Sequence, residues 1–167
     1  KLGNNIEGKD NGDYSGSSVS LSSDGYIVAI GSPQNNTGND VDGTNPGYVS
    51  VYEYDSNTAA WTQLGDDIIG EGEGDYSGYS VSLSSDGYTV AIGAPYNDND
   101  NGDNSGHVKV YEYDSNTAEW TLLGDNINGE AADDESGRSV SLSYNGYKVA
   151  IGAPQINTSG DNPGYVS

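Results

Sequence analysis

The chain has no cysteine, no phenylalanine and no methionine, and only five of its 167 residues are lysine or arginine. Without cysteine there can be no disulfide, no thiolate metal site and no thiol nucleophile. Five cations against 26 acids leave a formal net charge of −21. A surface of that sign has nothing to pair with phosphates, which argues against nucleic acid and anionic lipid as partners. No apolar run approaches membrane-spanning length, and the first residues show no signal-peptide pattern. Lys1 in place of an initiator methionine reads as a processed or excised segment. Only 32% of residues are hydrophobic. That is thin for a deep core, and it suits short strands whose backbones approach each other at small residues.

What is present is a repeat. YSGSSVSLSSDGYIVAIGSP (14–33), YSGYSVSLSSDGYTVAIGAP (76–95) and ESGRSVSLSYNGYKVAIGAP (135–154) recur at a spacing of about 60 residues. In the middle copy Val81 and Leu83 alternate with serines, and Asp86-Gly87 supplies a hairpin turn. Val90 and Ile92 then alternate with Ala91 and Gly93, and Pro95 ends the strand for want of an N–H. A polar loop leads to a third strand, His107 to Tyr113, with Val108 and Val110 pointing one way. The Asp114-Ser115-Asn116-Thr117 turn leads to a fourth strand, Trp120 to Leu123. The period is two throughout, with no helical stretch.

These signals predict an all-β fold of tandem four-stranded antiparallel blades of about 60 residues, large face stacked on small face. The architecture is β-propeller-like or an open blade array. Residues 1–13 would be the end of a preceding blade and its return loop, 14–75 blade 1, 76–134 blade 2, and 135–167 an incomplete blade 3. Val81, Leu83, Val90 and Ile92 are the expected core of blade 2.

The run SVSLSSDGYTVAIGAP resembles the FG-GAP repeat, found in integrin α-subunit propellers and in many extracellular proteins. Gly93-Ala94-Pro95 and Gly152-Ala153-Pro154 match its second signature, Gly31-Ser32-Pro33 nearly so, while the first is reduced to Tyr-Ser-Gly or Glu-Ser-Gly. The resemblance implies blades used for adhesion, recognition or structure, at the cell surface or outside the cell. It does not bring the integrin calcium sites, because the Asp24-Gly25, Asp86-Gly87 and Asn145-Gly146 hairpins are too short to encircle an ion.

For a cofactor, calcium is the candidate, at the loop YNDNDNGDNS (96–105) through Asp98, Asp100 and Asp103. The plainer reading is a solvated Asn/Asp/Gly loop, since an EF-hand would need a glutamate where Val108 stands. A second acidic set comprises Glu71, Glu73, Asp75, Glu130, Asp133 and Asp134. Asp13, Asp75 and Asp134 are equivalent in Asp-x-Ser-Gly, where a carboxylate caps nearby N–H groups. A glycosidase pair would have to depart from the repeat, and no pair does convincingly. The single histidine, His107, stands where the other units have Tyr48 and Tyr165, with neither a nucleophile nor an orienting partner beside it in sequence. No catalytic residue is assigned. Asn35 and Asn157 open N-glycosylation sequons in equivalent loops after the blade proline. Fourteen tyrosines and the matched Trp61 and Trp120 could stack on sugars, or simply furnish the large face of each blade.

The two ends of the chain complement each other. Lys1-Leu2-Gly3 aligns with Gln63-Leu64-Gly65 at the end of a fourth strand, and Tyr165-Val166-Ser167 aligns with Tyr48-Val49-Ser50 within a third. Three units cannot close a ring. The expected partners are therefore further copies or adjoining repeats, joined through the terminal strands, with glycans as a second class. The expected function is a non-enzymatic extracellular structural or adhesive module. The alternative is a glycan- or protein-binding propeller, lectin-like, with or without calcium.

Overall fold

The structure, a computed structural model, describes residues 1–9, 11–33, 46–155 and 163–167. The candidate glycosylation sites Asn35 and Asn157 lie outside them. Among the described residues there is no helix, and so none long and apolar enough to cross a membrane. Blade 1 comprises β1 (Ser18–Leu21), β2 (Ile27–Ser32), β3 (Tyr48–Asp55), β4 (Ala60–Gln63) and β5 (Ile68–Ile69). Blade 2 repeats it with β6 (Ser80–Leu83), β7 (Thr89–Ala94), β8 (His107–Asp114), β9 (Glu119–Leu122) and β10 (Ile127–Asn128). Blade 3 has β11 (Ser139–Leu142), β12 (Val149–Ala153) and β13 (Tyr165–Val166). All pairings within blades are antiparallel, in chain order.

The hairpins form where the Asp-Gly signal stands. Ser84 Oγ donates to Asp86 at 2.6 Å, the Asp86 carboxylate accepts the Tyr88 N–H at 3.1 Å, and Gly87 takes a φ of +81°. The same turn recurs at Ser22-Asp24-Gly25 and Ser143-Asn145-Gly146.

One element differs from the expected four strands. The outer strand is broken in two, so that β4 pairs with the end of β3 and β5 with its start. Leu64 N–H still donates to Val51 at 2.8 Å, after which Gly65, at φ +73°, swings the chain out of register. The Asp67 carboxylate fixes the bulge by accepting Ser50 Oγ and Gln63 Nε2, both at 2.7 Å, and by pairing with Lys9. In sequence this stretch reads as a polar return loop because the bulge residues are Gly-Asp-Asp.

Period-two alternation puts Val81, Leu83, Val90 and Ile92 on one face of blade 2, and all four are buried. They pack against Ala29, Val49 and Val51, which lie on the opposite-facing side of blade 1. The reverse side of blade 2, with Ser80, Ser82, Ala91, Gly93, Val108 and Val110, receives Val140, Leu142, Val149 and Ile151 of blade 3. Large face therefore meets small face twice. Each fully buried aliphatic side chain in these layers contributes about 1.5–3 kcal/mol.

Candidate functional site

The seams between blades carry most of the unusual chemistry. Ser18 Oγ donates to the Gly78 carbonyl at 2.7 Å, and Ser80 Oγ to the Gly137 carbonyl at 2.8 Å. One residue pair along, Ser20 Oγ accepts the Leu83 N–H and Ser82 Oγ the Leu142 N–H, both at 2.9 Å. In blades 1 and 2 the serines of SVSL are thus connectors between sheets rather than solvent-facing filler. Further out, Trp120 Nε1 donates to the Leu64 carbonyl at 2.7 Å, and Trp61 Nε1 to the Leu2 carbonyl at 3.2 Å. Residues 1–9 hence lie against blade 1 as the end of blade 1 lies against blade 2.

The equivalent acids Asp13, Asp75 and Asp134 are all buried. Asp134 accepts the N–H groups of Glu130 and Ala131, the Tyr165 hydroxyl and Gln155 Nε2, each at 2.9 Å. Asp13 accepts the Lys9 N–H at 2.9 Å and the Tyr48 hydroxyl at 2.6 Å. Burial, with the Asp13 carboxylate beside it, pushes the Tyr48 hydroxyl up to about 12, so it remains a proton donor to that carboxylate. Asp75 accepts from Gly72 N–H at 2.9 Å and Asn97 Nδ2 at 2.8 Å, and burial raises its pKa. These carboxylates tie each return loop to its blade.

In blade 2 His107 replaces the tyrosine. It is 3% exposed, its Nδ1 has no hydrogen-bond partner, and burial lowers its pKa to about 4. Nearby Lys109, also buried, pairs with Glu71 and holds that carboxylate below its usual range. No nucleophile is placed against His107 by any hydrogen bond described.

The structure does not draw Asp98, Asp100 and Asp103 together. All three are exposed, and among the described residues no three His, Cys, Asp or Glu side chains form a metal-holding group. The loop's polar groups are spent locally instead. Asp98 accepts the Asn104 N–H at 2.8 Å, and Asn101 Nδ2 donates to the Gly129 carbonyl at 2.7 Å. The Asp103 and Asn104 carbonyls accept the N–H groups of Asp133 and Glu135 at 2.9 and 3.0 Å, which clamps the loop to the next return loop. With 21 excess negative charges, screening by salt is expected to raise the melting temperature. At equal ionic strength calcium is expected to do no better than sodium. A calcium-specific rise in matched melts would put an ion back at residues 97–103.

A cleft of about 370 Å³ on the rim is lined by Tyr14, Ser17, Pro33, Tyr76 and Tyr79. Tyr14 and Tyr76 sit at positive φ, 53° and 57°, as does Glu135 at 50° in the third unit. Each closes a turn by accepting the N–H three residues on. Tyr96 packs edge-on against Tyr76 and Tyr79, and the Arg138 guanidinium lies 5.4 Å from the Tyr79 ring centre. Alternation in sequence says nothing about this aromatic cluster, because its members sit in turns outside the strands.

Blades stacked large face on small define a propeller-type β-repeat protein. Residues 70–111 match the family model of the FG-GAP repeat, so the resemblance seen in the sequence is confirmed in the middle unit. No curated protein matches the chain. Among solved structures, Sqt1 of Saccharomyces cerevisiae is similar with a TM-score of 0.51 and 17% identity, over 100% of this chain and 37% of that one. The periplasmic gluconolactonase PpgL of Pseudomonas aeruginosa gives 0.52 and 18%, over 90% of this chain and 38% of that one. Similarity at this identity concerns the fold alone, and the fold is propeller-like. The chain spans well under half the length of either structure.

Proposed function

We propose that the chain is a non-enzymatic structural or adhesive module of an extracellular surface or filament assembly. The observation that supports this is at the two ends of the stack. Blade 1 leaves its large face uncovered, with Val19 and Leu21 exposed, and blade 3 leaves its small face uncovered. An exposed large face and an exposed small face on one molecule are the two halves of the contact that joins its own blades, which suits stacking against further blades. The acidic surface keeps the sides of such an array apart, and FG-GAP repeats are typical of extracellular and surface proteins.

A lectin-like reading is favoured by the tyrosine cleft, whose neutral lining suits a sugar ring between aromatic faces. Electron microscopy of native material decides first: these three blades are expected inside continuous rows or rings of further blades. Discrete three-blade particles, together with a glycan-array signal lost in Tyr79→Ala, would overturn the structural reading in favour of the lectin.

A further inference from the structure

We infer that the uncovered small face of blade 3 binds the uncovered large face of blade 1 in a second copy of this chain, in the register that already joins blades 1, 2 and 3. This rests on the structural-module reading and names its partner.

The two internal seams are the same contact made twice. At the first, Gly31 approaches so closely that an added Cβ would stand 2.0 Å from the Gly78 carbonyl oxygen. At the second, a Cβ on Gly93 would stand 2.0 Å from the Gly137 oxygen. The third member of this row is Gly152, on the open face of blade 3, where the three atoms nearest to a Cβ all belong to Ser139, the rotatable hydroxyl at 2.3 Å among them, and no carbonyl of another blade stands close. The opposite row shows the matching gap. Gly78 and Gly137 are packed against the preceding blade, at Tyr48 and His107 carbonyls, whereas Gly16 has nothing within 4 Å. Gly87 and Gly146 rest on Ile27 and Thr89, whereas Gly25 has nothing within 4 Å. Each vacant position on blade 1 therefore has its complement on blade 3.

The apolar layer agrees. Val81 and Leu83, covered by blade 1, are 9% and 7% exposed; their equivalents Val19 and Leu21 are 63% and 60% exposed. A hollow lined by Ile6, Val19, Leu21, Val28 and Ile30 lies on this same face of blade 1. The seam bonds then transfer by position. Ser139 Oγ would donate to the Gly16 carbonyl of the second copy, and Ser141 Oγ would accept its Leu21 N–H. Tyr144 N–H would donate to the Ser23 carbonyl, as Ser23 N–H donates to Ser85 and Ser85 N–H to Tyr144, at 2.8 and 2.9 Å. The arriving segment 1–9 also brings Ile6 and Glu7, which occupy the positions of β5. Residues Ile68 and Ile69 of β5 pair with Val49 and Tyr48, so Ile6 and Glu7 would pair with Val166 and Tyr165.

Sedimentation velocity of the full chain in about 0.5 M NaCl, where the charge of each copy is screened within a few ångströms, tests the contact. The wild type is expected to grow into dimers and longer rows as concentration rises. Gly152→Ala is expected to keep the wild-type melting temperature and lose about tenfold or more in association, because its Cβ stands where the Gly16 carbonyl must come. Leu21→Asp, on the other face and exposed in the single chain, is expected to do the same and serves if Gly152→Ala folds poorly. A wild type that stays monomeric at every concentration overturns the inference. So does assembly that both variants leave unchanged, although rows in native material would then still uphold the structural module, with a different joint.

Discussion

Gly93→Ala is expected to cost about 3 kcal/mol or more in a urea melt, although it adds one methyl group. The new Cβ would stand 2.0 Å from the Gly137 carbonyl oxygen and 2.5 Å from Ser80 Oγ. The serine can rotate away, but the carbonyl belongs to the backbone of blade 3 and cannot. Either blade 3 slides off its neighbour, or the strand buckles and loses part of its ladder. Overpacking of a close-fitted interior typically costs about 1–3 kcal/mol. Here loss of the Ser80 bond and exposure of Ile151 and Val108 at the seam add to that. Gly93 is not at positive φ, so the penalty measures contact between blades rather than backbone strain. A loss below about 1 kcal/mol would mean that the seam is looser than described.

Acidification should weaken the fold through His107, and His107→Tyr should remove that sensitivity. The buried imidazole titrates near pH 4, against about 6.5 in an unfolded chain. Across that window the unfolded state binds a proton that the folded state does not. The contribution is fully present above about pH 6.5 and is lost as pH falls toward 4, amounting to about 2–3 kcal/mol. Asp75 acts in the opposite sense, since burial raises its pKa and protonation relieves it; Glu71, held low by Lys109, adds to the loss at still lower pH. Tyrosine at 107 would reproduce the arrangement of Tyr48 and Tyr165, whose hydroxyls bond the matching aspartates at 2.6 and 2.9 Å. Melts of wild type and His107→Tyr at pH 7 and pH 4.5 separate the two. Equal losses in both proteins would clear His107 of responsibility.

The core was legible because strict alternation leaves one choice of face: Val81, Leu83, Val90 and Ile92 have to point the same way. The repeat was legible from the recurrence of SVSL at Ser18, Ser80 and Ser139, where β1, β6 and β11 begin. The split outer strand was not, because Asp67 works through bonds to Ser50, Gln63 and Lys9, and no local pattern records a contact of that kind. Nor was the role of the SVSL serines, since in one strand a serine that reaches a neighbouring sheet looks like one that faces water. Their recurrence at the same place in all three units was the available signal. At the acidic loop the sequence left two readings open. Asn, Asp and Gly favour metal loops and tight turns for the same conformational reasons, and only the three-dimensional course of residues 96–105 tells the two apart.

The glycine and serine rows have a consequence for how such a chain can change in length. Every small face carries the same Ser-x-Ser and Gly, and every large face the same Val-x-Leu, so any unit fits before or after any other. Duplicating or deleting one whole unit leaves each remaining seam with a matched partner and demands no compensating mutation. Inserting a single residue within β6 would do the opposite, exchanging Val81 and Leu83 with the serines and spoiling two seams at once. Size in this architecture is therefore a matter of copy number, inherited in steps of one blade.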